Sequence, residues 1–196
     1  MGEAKRRTAT RAKAAEAKQA WEAGLSDRGR TVLRVAKRLG AALALPGACY
    51  RCAMFLRYHL VARHGIDGEA VVGFVNDGTD VAYSSHAWYE IDGLITDVAL
   101  CRPEKPRFQK AGPVTILGRE MAPGWSYTYH RQRPPEGRAL VADLLRYPEI
   151  GPAMADAENL HLRMAAMAKS DELIRAYLDG APDGLNYERL AADVEA

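Results

Sequence analysis

The alternation of apolar and polar residues divides the chain into helix-like ends and a strand-like middle. In "TVLRVAKRLGAALAL", Val32, Leu33, Val35, Ala36 and Leu39 recur at helical spacing. Ser26 or Asp27 is placed to cap that helix, and Pro46-Gly47 breaks the chain after it. A second helical pattern opens at or near Cys49 in "CYRCAMFLRYHLVARHG". Ala53, Leu56, Leu60 and Val61 are its predicted buried face, and Gly65 is its C-terminal stop.

The period then changes from helical to two. "EAVVGFVND" reads as a strand carrying Val71, Val72, Phe74 and Val75, punctuated by Asn76-Asp77-Gly78. "AYSSHAWYEI", Asp92-Gly93 and "LITDVAL" read as a β-hairpin, since Asp-Gly suits a two-residue type I′ turn. "GPVTILG" is a further strand candidate, and "GWSYTYHRQRPPEG" is a strand or loop. From about residue 138 helical patterns return in "LVADLLRYPEI", "MADAENLHLRMAAMAKSDELIRAYLDG" and "LNYERLAADVE". Helices, then strands, then helices predict an α+β fold with an antiparallel sheet.

The hairpin register places particular side chains together. With Asp92 and Gly93 as the loop, Ile91 pairs with Leu94, Trp88 with Asp97 and His86 with Ala99. Alternation then puts His86, Trp88, Glu90 and Asp97 on one face. Diagonal cross-strand neighbours lie roughly 7–8 Å apart, so an imidazole at 86 and a carboxylate at 97 can meet. A one-residue slip would separate them. A carboxylate on one ring nitrogen fixes the tautomer and frees the other nitrogen as a base. Cys49, at a predicted helix start, is the group such a base would activate. Unpaired N–H groups and the helix dipole favour a thiolate there and suit an oxyanion. Cysteine, histidine and aspartate thus fit the logic of nucleophile, base and orienter.

Composition narrows the setting. The chain has 196 residues, 48% of them apolar, which is enough for a sizeable core. Formal net charge is only +2, which excludes a polyanion binder that uses its whole surface. The first forty residues are nevertheless basic, with Lys5, Arg6, Arg7, Arg11, Lys13 and Lys18 in the opening stretch. Residues 1–25 are expected to form a basic helical or frayed arm. Residues 1–20 of it offer a contact for an acidic partner or nucleic acid, through salt-sensitive, nonspecific attraction. Three cysteines argue against a disulfide framework and for a reducing cytoplasm. No apolar run reaches the length of a membrane span, so no membrane partner is expected.

"GACYRCAMFLRYHLVARHGIDGEAVVGFV" followed by "SHAWYEIDGLITDVAL" resembles the transglutaminase-like (papain-like) cysteine-enzyme superfamily. Gly47, Cys49, Ala53, Gly65 and Ile66 match its Gly-x-Cys-x-x-x-Ala helix and the Gly-Ile that ends it. His86, Ala87, Trp88, Glu90, Ile91 and Asp97 match its His-Ala-Trp strand and the aspartate beyond. The likeness extends over roughly residues 45–100 and includes bacterial transglutaminase-like proteins and lasso-peptide leader peptidases. It implies a nucleophile helix packed on a small antiparallel sheet over about residues 26–135, with residues 136–196 as a helical extension packed on it. It also implies roles: Cys49 as nucleophile, His86 as general base and Asp97 as orienter of His86. The corresponding activity is acyl transfer through a thioester, by a peptidase, amidase or transamidase acting on a peptide, protein or small amide, with no cofactor and no metal.

Other readings stand beside it. Cys52 replaces Cys49 as nucleophile if the helix begins later. Cys49-x-x-Cys52 is also half a zinc site, to be completed by Cys101 and His86 or His130, or a redox pair at a helix start. A lone histidine on a strand is most often structural. A catalytically silent module that keeps the fold and binds through its basic arm is the rival to an enzyme. Cys101 is expected to be a small apolar filler, with Trp88, Tyr89 and Trp125 as core or cleft wall and Met154, Met164 and Met167 between helices. His59, His64 and His161 carry no assigned role.

Overall fold

The computed structural model describes residues 13 and 15–196, together with the side chains there except that of Asp183. Most of the basic arm, residues 1–12 and 14, lies outside the described residues, and with it most of the expected anionic contact. Residues 15–24 are helical. They are docked on the body: Trp21 packs against the core, Glu22 pairs with Lys37 at 2.8 Å, and Arg119 lies over the Trp21 ring.

Helix α1 (Asp27–Ala42) starts where Ser26 accepts a hydrogen bond from the Gly29 N–H. Its buried residues are Val32, Leu33, Val35, Ala36 and Leu39, the stripe read from the sequence. Helix α2 (Cys49–His64) is different. It is enclosed on several sides, with Cys52, Ala53, Met54, Phe55, Leu56 and Leu60 buried, Val61 only half-buried, and Arg51, Arg57 and Arg63 spread round it rather than gathered on one face. A helix enclosed on several sides has no polar face to reveal its orientation. Gly65 ends it in the left-handed conformation.

Strands β1 (Glu69–Asn76), β2 (Ser84–Ile91), β3 (Leu94–Thr96) and β6 (Thr128–His130) form an antiparallel sheet in the order β3-β2-β1-β6. The β2–β3 register pairs Ile91 with Leu94, Glu90 with Ile95 and Tyr89 with Thr96, as the two-residue turn requires. Asp92 and Gly93 both have positive φ, which is the type I′ signature. The ladder stops there, one residue short of Asp97. That residue instead bridges to Thr115 beside a second, two-stranded sheet of β4 (Val114–Ile116) and β5 (Arg119–Ala122). Strand β5 has no sequence signal. It is short, its residues alternate between half-buried and exposed, and its turn begins with Leu117 at positive φ, a residue that does not announce a turn.

Four helices follow: α3 (Pro135–Leu144), α4 (Gly151–Met167), α5 (Asp171–Asp179) and α6 (Tyr187–Glu195). The long helical pattern after residue 153 is two helices, because Ser170 caps a new start by accepting from the Leu173 N–H at 3.3 Å. Helix α5 packs on α2, and α6 packs on α1. Ile174, Leu178, Tyr187, Leu190 and Val194 join the same core cluster as α1 and α2. Residues 136–196 therefore complete the core that the earlier residues begin. The architecture is α+β with antiparallel sheets. Among the described residues no helix is long and apolar enough to cross a membrane.

Candidate active site

Helix α2 starts abruptly. Gly47 turns the chain with φ of 69° and donates its N–H to the Arg102 carbonyl. The cap position is Ala48, which supplies no side-chain acceptor, and the first turn holds no acidic residue. The helix therefore presents unpartnered N–H groups and the positive end of its dipole without a built-in counter-charge. Cys49 is its first residue. It is largely buried, yet it lines a cleft of about 370 Å³.

His86 comes to Cys49 from β2, which packs against α2. Its Nε2 lies 2.7 Å from Asp97 Oδ2, and both side chains are almost fully buried. Nδ1 is the ring nitrogen left to serve the thiol. Asp97 is held in turn: its Oδ1 accepts from the Ala99 N–H at 2.9 Å and the Leu100 N–H at 3.1 Å. Its Oδ2 also accepts from the Tyr129 hydroxyl at 2.9 Å. The carboxylate thus has four donors and a single orientation.

The electrostatics follow from that packing. Burial alone would pull the His86 imidazole down. The charge of Asp97 first, then the neighbouring Cys49 sulfur and hydrogen bonds to both, outweigh burial and push it up to about 10. Burial resists ionisation of Asp97, but His86, the Ala99 N–H and the Tyr129 hydroxyl hold its carboxyl below the ordinary range. The Tyr129 phenol is pushed up by burial and by the Asp97 charge, so it remains a donor.

The three residues singled out from the sequence, Cys49, His86 and Asp97, are therefore brought together. Cys52 sits one turn further along α2, fully enclosed, and burial pushes its thiol well above the usual range. Cys101 is half-buried, its Sγ 3.5 Å from the Val98 carbonyl. Neither thiol lines the cleft. Among the described residues, the only group of three with metal-ligand spacing is His59, His64 and Glu195, and it contains no cysteine.

Several contributors had no sequence signal. Tyr129 reaches Asp97 from β6, a strand placed beside β1 by a pairing that no local pattern encodes. His161 on α4 forms a 2.6 Å hydrogen bond with Ser85, which also bonds the Tyr50 hydroxyl at 2.7 Å. That chain ties α2 and β2 to α4. Burial keeps the His161 imidazole below its usual value. Arg133 makes a bidentate pair with Glu158 at 2.6–2.7 Å and lies over the Phe74 ring, clamping α4 onto the sheet. Leu140, Val141, Leu144, Met154 and Leu160 from α3 and α4 give the cleft an apolar wall. Trp88 is buried, with its edge against Tyr129. Trp125 is 44% exposed, donates to the Asp77 carbonyl and carries Lys110 over its ring, so it is neither core nor wall of this cleft.

No protein-family model, curated protein or solved structure matches this chain.

Proposed function

We propose that the chain is a cysteine acyl-transfer enzyme of transglutaminase-like type, acting on an amide or ester carbonyl. One observation carries this reading. His86 is locked through Nε2 to a buried, four-donor Asp97 while Cys49 faces the same ring from an uncapped helix start. A purely structural histidine has no need of a thiol on its second side.

The chemistry is that of a thiolate–imidazolium pair. The Cys49 thiolate adds to the carbonyl carbon, and the carbonyl electron pair moves onto oxygen. The Cys49 N–H at the helix start is the oxyanion donor. When the tetrahedral centre collapses, the bond to the leaving amine or alcohol breaks, and the His86 imidazolium supplies its proton. A thioester on Cys49 remains. Water or an amine then attacks it, His86 takes the proton of the attacking group, and the thiolate departs. Asp97 holds the ring in register and stabilises its charged form throughout. The apolar wall from α3 and α4 suits an apolar group beside the scissile carbonyl, and it excludes water from one side of the cleft.

The test uses the full chain with p-nitrophenyl acetate and, separately, iodoacetamide, with adducts located by mass spectrometry. Acetyl transfer to Cys49 is expected, as is alkylation of Cys49 faster than that of Cys101, both depressed by His86→Ala. If Cys49 reacts no faster than Cys101, and His86→Ala leaves its rate unchanged, the chain is a silent binding module instead.

A further inference from the structure

A second constellation lies at the opposite end of α2 from Cys49. His59 Nε2 and His64 Nε2 converge on one carboxylate oxygen, Glu195 Oε1, at 2.9 and 2.8 Å. The three ligand atoms lie within 4.8 Å of one another. His59 is fully buried, stacked on Phe55 with ring centroids 4.8 Å apart. His64 and Glu195 are partly open to solvent, at 20% and 38% side-chain exposure. The cluster therefore has a rigid floor and an open mouth.

We propose that His59, His64 and Glu195 form a divalent transition-metal site of the zinc class, which pins α6 to the nucleophile helix. Two imidazoles and one carboxylate, with room for solvent at the remaining position, are a ligand set that zinc, cobalt and nickel accept. Two imidazoles converge on one carboxylate oxygen, and a cation between the three atoms would replace both hydrogen bonds as Oε1 draws back to admit it. The outer contacts fit as well. His59 Nδ1 lies 3.3 Å from the Tyr187 hydroxyl, which accepts as readily as it donates. When Nε2 ligates, the ring proton sits on Nδ1 and the Tyr187 hydroxyl oxygen accepts a hydrogen bond from it, the kind of outer contact that supports a metal-bound histidine. Arg34 engages the other oxygen, Glu195 Oε2, at 3.0 Å. It fixes the carboxylate with Oε1 turned to the two imidazoles, while its charge moderates the affinity. Arg63 is nearby, 3.9 Å from Glu188.

The site contains none of the cleft residues, so it stands or falls independently of the acyl-transfer reading. Zinc chloride is titrated into the full chain by calorimetry. One equivalent is expected to bind, with a melting-temperature rise of several degrees under excess zinc. His64→Ala and Glu195→Gln, each with an unchanged circular-dichroism spectrum, are expected to weaken binding about tenfold or more. Cys49→Ser and Cys101→Ser leave it intact. Cobalt(II) added to the unmutated chain gives a reading that does not depend on the variants folding. Ligand-field bands without thiolate charge transfer support the site, and strong thiolate charge transfer overturns it. Absence of saturable binding, or zinc affinity indifferent to both ligand substitutions, overturns it as well.

Discussion

Tyr129 and His86 meet on one atom: the tyrosine hydroxyl at 2.9 Å and His86 Nε2 at 2.7 Å both reach Asp97 Oδ2. Tyr129 is thus a positioning residue for the proposed base, acting through the carboxylate. Its donation stabilises the charged form of Asp97, so Tyr129→Phe makes the carboxyl easier to protonate. The acid limb of Cys49 alkylation is expected to move to higher pH by about one unit, the scale of one hydrogen bond to a buried charge. The neutral-pH rate falls less than tenfold. An unshifted limb would reduce Tyr129 to packing.

Asp97→Asn should act through the tautomer. Oδ1 of Asp97 is committed to the Ala99 and Leu100 N–H groups. An asparagine would keep its carbonyl there and turn its NH₂ toward His86. Nε2 must then accept, and the ring proton moves to Nδ1, where it faces the thiol and cannot take the thiol proton. The expected loss in acetyl transfer from p-nitrophenyl acetate is about 10²–10⁴-fold at neutral pH. Fold and cleft are retained, which circular dichroism checks.

Much of this site can be read along the chain, and the reason is physical. The Asp92-Gly93 turn is self-specifying through its two positive φ angles, so the faces of His86 and Asp97 follow from period two. Gly47 and Cys49 adjoin the Pro46 break that starts α2, so the position of the proposed nucleophile is local information as well. Tyr129, His161 and Arg133 are invisible by the same logic. Each reaches the site through a tertiary pairing, β6 on β1 or α4 over the sheet, and none lies on a periodic stripe of its own. Helix α2 shows the same limit in the core. Its enclosure by α1, α5 and the sheet erases the amphipathic pattern that made α1 legible. The C-terminal helices, expected as an added layer, share Leu178, Tyr187 and Leu190 with the core of α1 and α2 because their apolar stripes have no other cover.

The buried pair also sets a pH window for stability. His86 sits at about 10, above its unfolded value of about 6.5. Its contribution is fully present below about pH 6.5 and is lost as pH rises through about 10. Asp97 is depressed, so its contribution is present above its unfolded value of about 3.9 and is lost as pH falls through its folded value. Melting temperatures of the unmutated chain and of Asp97→Asn should differ most between these limits, converge as pH falls below the lower one, and narrow without closing above about pH 10, where Ala99, Leu100 and Tyr129 still donate to the carboxylate. A difference constant from about pH 3 to about pH 10.5 would mean that the pair carries no charge.

Cys52 and Cys49 are separable by substitution. Cys52 is enclosed, and burial disfavours its thiolate. Cys52→Ala should cost about 1 kcal/mol or less of stability, measured by urea unfolding, since one small buried group is lost. It should leave the alkylation rate of Cys49 within about twofold, whereas Cys49→Ala should remove the fast phase altogether. A fast phase surviving in Cys49→Ala would transfer the nucleophile role to Cys52.

Gly47 and Gly65 bracket α2 with similar backbones, φ of 69° and 61°, but different surroundings. A Cβ at Gly65 meets nothing within 4 Å, so Gly65→Ala carries only the conformational cost of a left-handed residue, about 1 kcal/mol. A Cβ at Gly47 adds contacts at 3.1 and 3.2 Å with the Glu104 side chain, which must move. Gly47→Ala should therefore destabilise as much as Gly65→Ala or somewhat more in urea unfolding. The functional contrast should be larger. Gly47 positions the first turn of α2 and bonds Arg102 in the cleft wall, so its substitution displaces Cys49 from His86 and slows alkylation about tenfold, the scale of a displacement well under 1 Å. Gly65→Ala, at the far end of the helix, leaves the rate unchanged. Equal rates in the two variants would show that the turn at Gly47 serves folding alone.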